Sequence, residues 1–209
     1  TWPLDREIDY CTGIASLPYL HLQEHDAFIT EPYIKPEMSI ASDMRRQLHD
    51  GRPIIGLAWT GGTKKTNNIY RCIPVELIEM FVKEHPEIKF VSLEYENGPE
   101  IEGVESLWDI TQNFNYDLTA CLVEACDAIV SVNTSVVHLA GAMGKRVFCL
   151  TPSKPAWRYG VNREGMPFYS DVHQSRQQDR DWAPAIKSLT EDLNTFVSLR
   201  SEIREVAAC

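Results

Sequence analysis

Val130-Ser131-Val132-Asn133-Thr134-Ser135-Val136-Val137-His138-Leu139-Ala140-Gly141-Ala142-Met143-Gly144 carries the densest chemistry in the chain. An apolar strand ending at Val132 runs straight into a helix that Asn133 or Thr134 can cap. The free N–H groups of a first helical turn, with the positive end of the helix dipole, make a seat for an anion, and a pyrophosphate suits it. His138 follows Thr134 by one turn, so both share a helix face. Asn133, Thr134, Ser135 and His138 are therefore candidates to hold a diphosphate or its attached sugar. A capped helix with a structural histidine is the competing reading.

Three other segments offer complementary groups. In Trp59-Thr60-Gly61-Gly62-Thr63-Lys64-Lys65 the glycines let backbone approach a ligand, and hydroxyls and lysines bind phosphate oxygens. The spacing is neither that of a P-loop nor that of a dinucleotide-binding turn. Arg71 precedes a helix near the same edge. In Pro152-Ser153-Lys154-Pro155-Ala156-Trp157-Arg158-Tyr159, Trp157 and Tyr159 can flank a base or sugar and Arg158 can meet a phosphate. Each segment alone also reads as a surface loop or a Trp-anchored loop. Their common position, at or just past the carboxyl ends of predicted strands, is what one crevice would collect.

The elements that must position these groups alternate. Ile54 to Trp59, Phe90 to Leu93, Ala128 to Val132 and Arg146 to Leu150 are short apolar runs of the kind buried on both faces of a sheet. Val104 to Ile110 reads as a further strand, and Phe168-Tyr169 as the start of a short one. Helices are expected over Pro74 to His85, Tyr116 to Cys126 and Thr134 to Met143, the last stopped by Gly144. One or two more run from Trp182 to Val206. This order predicts an α/β domain: a Rossmann-like parallel sheet with helices on both faces. It spans residues 51–209. Residues 1–50, broken by prolines, read as the tail of a preceding domain or a linker. Within them Ser39 to His49 forms a helix capped by Ser39 or Ser42.

Bulk properties narrow the partners. A formal net charge of −10 over 209 residues argues against nonspecific binding to nucleic acid or an anionic membrane. No stretch approaches the roughly 20 apolar residues of a bilayer span. The N-terminal residues lack the signal-peptide pattern and an initiator Met, so the chain reads as a piece of something longer. Six cysteines without a C-x-x-C pair fit a reduced, cytoplasmic protein without a zinc site.

The order W-x-G-G, R-x-I-P, D-L-T-A, V-S-V-N-T-S-V-V-H-L-A-G-A-M-G-K and P-x-W-R-Y resembles the glycosyltransferase family 9 superfamily, which includes ADP-heptose:lipopolysaccharide heptosyltransferases. The resemblance is to its tetratricopeptide-linked bacterial branch and covers roughly residues 53–197. It implies the C-terminal, donor-binding half of a GT-B fold whose N-terminal domain precedes this chain. It further implies inverting, metal-independent sugar transfer from a nucleoside diphosphate, with no cofactor beyond that donor. His138, Lys64 and Arg71 are then the expected catalytic residues. Trp59, Gly61, Gly62, Asn133, Thr134, Ser135, Trp157 and Arg158 are the expected donor-binding residues. Asn133 stands where the family commonly has Asp, and the family's general base belongs to the other domain, so this half alone would bind donor without turning over. A nucleotide-sugar epimerase of the same fold and a non-catalytic binding module are the alternatives. The first is disfavoured because no obvious carboxylate stands at a strand end.

Overall fold

The computed structural model describes residues 13, 16–17, 28, 30–62, 68–95, 99–112, 115–161 and 163–207, apart from the side chains of residues 69 and 204–207. Strands β1 (Ile54–Ala58), β4 (Ala128–Val132) and β5 (Val147–Thr151) are buried at every residue. Successive side chains of a strand point to opposite faces, so each apolar run feeds two cores. Ile54, Ile129, Val147 and Cys149 join one cluster, and Ile55, Leu57, Val130, Phe148 and Leu150 the other.

The first cluster is covered by α1 (Met38–Leu48), α4 (Tyr116–Ala125) and α5 (Ser135–Ala142). The second is covered by α2 (Val75–Lys83) and α6 (Ala183–Ala207). Strands β2 (Lys89–Ser92), β3 (Val104–Glu105), β6 (Gly165–Met166) and β7 (Tyr169–Arg176) complete a seven-stranded sheet of order β3-β2-β1-β4-β5-β7-β6. All neighbours are parallel except β6 and β7. The chain winds from β1 outward to β2 and β3, then returns to β4 on the other side of β1. The switch point therefore lies between β1 and β4, and their carboxyl ends open a crevice.

At the opposite end of β4, one carboxylate ties three elements together. Asp127 accepts from Arg45 of α1 at 2.7 Å, from Arg200 of α6 at 2.6 Å and from the Ile54 amide of β1 at 2.8 Å. Thus α1, in the region read as a tail, packs on α4 through Ala41, Met44 and Leu48. Its cap is Glu37, whose carboxylate accepts from Ser39 N at 3.4 Å, in place of the expected serine. The acidic side chain meets the orphan N–H groups and the dipole at once.

Two expectations need correction. The run Val104 to Ile110 is a strand only over Val104–Glu105; α3 (Trp108–Thr111) follows. Leu107 and Ile110 both lean on the first core, and that three-residue spacing suits a helix face. The strand expected to start at Phe168-Tyr169 runs eight residues, from Tyr169 to Arg176. Its polar sequence concealed it, and the backbone ladder to β5 from Val147↔Val172 to Thr151↔Arg176 holds it in place. Of the one or two helices expected at the carboxyl end, the chain forms one, of 25 residues. Among the described residues no helix is long and apolar enough to cross a membrane.

Candidate functional site

The loop after β1 is shaped by a buried acid. Glu94, just past β2 and 2% exposed, accepts from the amides of Trp59 at 2.6 Å and Thr60 at 2.8 Å, and from the Thr60 hydroxyl. This turns the chain toward α5. A Cβ on Gly61 would lie 3.2 Å from both Thr134 Cγ2 and Val132 Cγ2, so backbone lies close against the start of that helix. Gly62 has φ +79, and a Cβ there would lie 2.5 Å from Arg71 Nη2. Only glycine takes that conformation and admits the guanidinium so near.

The opposing loop starts α5. Thr134 is the N-cap: its hydroxyl accepts from Val136 N at 3.2 Å and lies 3.1 Å from Ser131 Oγ. Asn133, 3% exposed, accepts on Oδ1 from Cys149 Sγ at 3.2 Å and Thr151 Oγ1 at 3.3 Å. Its Nδ2 has no hydrogen-bond partner among the described residues. A buried amide donor left unpaired costs about 1–3 kcal/mol, so such an atom asks for a ligand or water. Burial pushes the Cys149 thiol up to about 12, which keeps it a neutral donor to Asn133.

Between these loops lies a pocket of about 430 Å³ lined by Tyr70, Arg71, Asn133, Lys154, Pro155, Ala156 and Tyr159. Among the described residues, two cations and no carboxylate line it, within a chain of net charge −10. Low-dielectric walls concentrate the field of such a cation pair on a small anion.

Behind the Tyr159 wall sits His138. Arg158 Nε donates to its Nε2 at 3.0 Å, and the Tyr159 hydroxyl lies 3.2 Å from the same nitrogen. Its Nδ1 is 3.2 Å from the Tyr169 hydroxyl. Burial first, and the Arg158 charge second, lower its pKa from 6.5 to about 4, so the ring is neutral near pH 7. Burial also raises the tyrosine hydroxyls of Tyr159 and Tyr169, which stay protonated.

Of the residues singled out in the sequence, Gly61, Gly62, Arg71, Asn133 and Thr134 converge on one crevice. Arg158 and His138 pair with one another beside it, and both His138 ring nitrogens are engaged within the chain. Ser135 is exposed in the first turn of α5. The Trp59 ring is 3% exposed and belongs to the second core, so only its backbone meets the loop. Trp157 is 64% exposed, stacks edge-on to Phe168 and does not line the pocket. The 3₁₀ turn Trp157–Tyr159 presents successive side chains in different directions, and Tyr159 faces inward. Lys64 lies outside the described residues, as do Thr63 and Lys65.

The sequence reading missed Glu94, which contradicts the statement that no carboxylate stands at a strand end. The signal was available: Glu94 is the first polar residue after Phe90 to Leu93. Lys154 and Tyr70 were also unassigned. Lys154 lies between two prolines directly after β5, where a loop at the crevice is expected to carry function. Among the described residues, Cys72, Cys121, Cys126 and Cys149 are free thiols.

No family model matches the chain. The protein FlbA of Caulobacter vibrioides is 26% identical over 179 residues, which is 79% of this chain and 29% of that protein. Among solved structures, E. coli ADP-heptose LPS heptosyltransferase II aligns with a TM-score of 0.57 at 15% identity, covering 87% of this chain and 59% of that one. A glycosyl transferase of family 9 from Veillonella parvula aligns with a TM-score of 0.52 at 13% identity, covering 74% and 45%. The chain thus spans less than two thirds of each relative's length. These likenesses establish the fold: a Rossmann-like α/β sheet with flanking helices, as in the C-terminal domain of GT-B, family 9-like glycosyltransferases.

Proposed function

We propose that this chain binds the diphosphate of a nucleoside-diphosphate sugar and serves as the donor half of an inverting, metal-independent glycosyltransferase. The observation that carries the reading is the unpartnered Asn133 amide in a pocket lined by Arg71 and Lys154, at the start of α5 and at the sheet's switch point. Each of these groups donates or is positive, so the ligand part that meets them is an acceptor and an anion.

In the transfer, an acceptor hydroxyl attacks the anomeric carbon while the bond to the β-phosphate oxygen breaks. The diphosphate leaves with the electron pair. Arg71, Lys154, Arg158 and the N–H groups of α5 stabilise the charge that grows there. The hydroxyl proton passes to a base outside the described residues: among those, no carboxylate lines the pocket, and Glu94 is engaged with the β1 loop. That base and the acceptor site fit an N-terminal GT-B domain in the longer protein, with tetratricopeptide repeats as its companion.

Calorimetric titration of the full-length protein with ADP-, GDP- and UDP-sugars tests it. Micromolar to millimolar binding of one of them, competed by inorganic pyrophosphate, is the expected result; no binding of any would overturn it. Glu94 gives the epimerase alternative a strand-end carboxylate. Incubating donor without acceptor separates the two, since clean epimerised product would favour the epimerase.

A further inference from the structure

Resting on that donor-site reading, we propose that His138 is a positioning residue. Its bare Nε2 lone pair holds the Arg158 guanidinium against the pocket wall, and the Tyr169 hydroxyl fixes the tautomer that leaves that lone pair bare.

The roles follow from donor and acceptor chemistry. A guanidinium has only donors, so the nitrogen that meets Arg158 Nε at 3.0 Å must be an acceptor. The neutral ring then carries its proton on Nδ1. That N–H donates to the Tyr169 hydroxyl 3.2 Å away. The imidazole is clamped between two rings, with centroids 5.6 Å from Tyr159 and 5.8 Å from Tyr169. Tyr159 lines the pocket, and the Arg158 guanidinium carbon stands 5.4 Å from its ring centroid. The cation is therefore held at the wall by a contact through its Nε, beside the Tyr159 ring.

This arrangement works only with a neutral imidazole, because a protonated Nε2 would repel the guanidinium and lose its lone pair. Burial and the adjacent cation both oppose protonation, and the ring stays neutral until about pH 4. His138 thus acts on the ligand through Arg158 and does not serve as a proton donor near neutral pH. Tyr169 is itself braced: it is 8% exposed, and a Cβ on Gly141 would lie 2.5 Å from its Cγ, so helix α5 backs directly onto the ring.

The test combines a double-mutant cycle, titrated with inorganic pyrophosphate on the full-length protein, with long-range ¹H–¹⁵N spectra of the wild-type imidazole. His138→Ala and Arg158→Ala should each weaken pyrophosphate about tenfold, and the double variant by no more than about tenfold, because one residue acts through the other. His138→Gln, which offers an amide oxygen near the place of Nε2, should recover most of the loss. The spectra should show the Nδ1–H tautomer, shifted by Tyr169→Phe toward a mixture. Losses that multiply to about a hundredfold, or an Nε2–H tautomer, overturn the positioning role while leaving the anion site standing. Failure of the wild type to bind pyrophosphate at millimolar concentration removes the donor site and this role together. The tautomer is read on the wild type, so that result does not depend on any variant folding.

Discussion

Replacing Gly141 with alanine perturbs the histidine cluster without touching any group assigned to the ligand. The new methyl would stand 2.5 Å from Tyr169 Cγ, 2.6 Å from Cδ2 and 3.0 Å from Cδ1. Carbon atoms rest about 3.5–4.0 Å apart, so the base of the ring must retreat by about 1 Å. Retreat is resisted, because Tyr169 is 8% exposed and has Phe168 and His138 as ring neighbours. Overpacking of this kind costs about 1–3 kcal/mol. Alanine in a helix interior returns about 1 kcal/mol over glycine, leaving a net loss of about 0–2 kcal/mol. The ring shift would also stretch the Tyr169–His138 contact from 3.2 Å beyond hydrogen-bond reach. That weakens the hold on Arg158 by about 0.5–1.5 kcal/mol, or about two- to tenfold in pyrophosphate affinity. Urea unfolding reads the first effect as a lower midpoint at unchanged slope, and titration reads the second. A Gly141→Ala protein as stable as the wild type, with unaltered pyrophosphate binding, would refute this account of how α5 braces the site.

Asp127→Ala should destabilise the fold by about 1–3 kcal/mol, mainly because it leaves the buried Ile54 amide without its acceptor, while Arg45 and Arg200, whose side chains are 35% exposed, can turn to water. Thermal unfolding measures this, and pyrophosphate affinity of the folded fraction should be unchanged because Asp127 lies at the far end of β4. Acid should weaken the protein in two stages. His138 is lowered from 6.5 to about 4, so its contribution is full above pH 6.5 and is lost as pH falls toward 4, an effect on the order of 1–3 kcal/mol. In Asp127, burial alone would raise the pKa, but the Ile54 amide, Arg45 and Arg200 hold it below 3.8, so its share disappears only as pH falls through that lowered value. Denaturation midpoints of wild type and His138→Gln against pH should converge between pH 6.5 and 4; parallel curves would contradict the first stage. At the pocket, Arg71→Ala should weaken pyrophosphate about tenfold and the exposed Lys154→Ala about threefold, and both losses should shrink in high salt. Equal affinity of both variants and wild type at low salt would remove these cations from the site.

Much of the fold was legible because periodicity records burial. The runs around Ile55, Val91, Val130 and Phe148 have to be strands of a covered sheet, and Asn133-Thr134 after Val132 has to start a helix. The polar strand Tyr169–Arg176 was not legible, because a backbone ladder rather than apolar side chains places it. The candidate site divides in the same way. Glycine, threonine and arginine types at predicted strand ends raised the expectation of an anion seat. Only the tertiary structure decided which of them face one another. Gly61 meets Thr134 because β1 and β4 are neighbours across the switch point. Both His138 nitrogens are taken by side chains arriving from the segments around β5 and β7. Glu94 folds the β1 loop from a strand further out. Local sequence encodes how each segment is buried, whereas the direction in which a side chain spends its hydrogen bonds depends on crossovers and register that join residues distant along the chain.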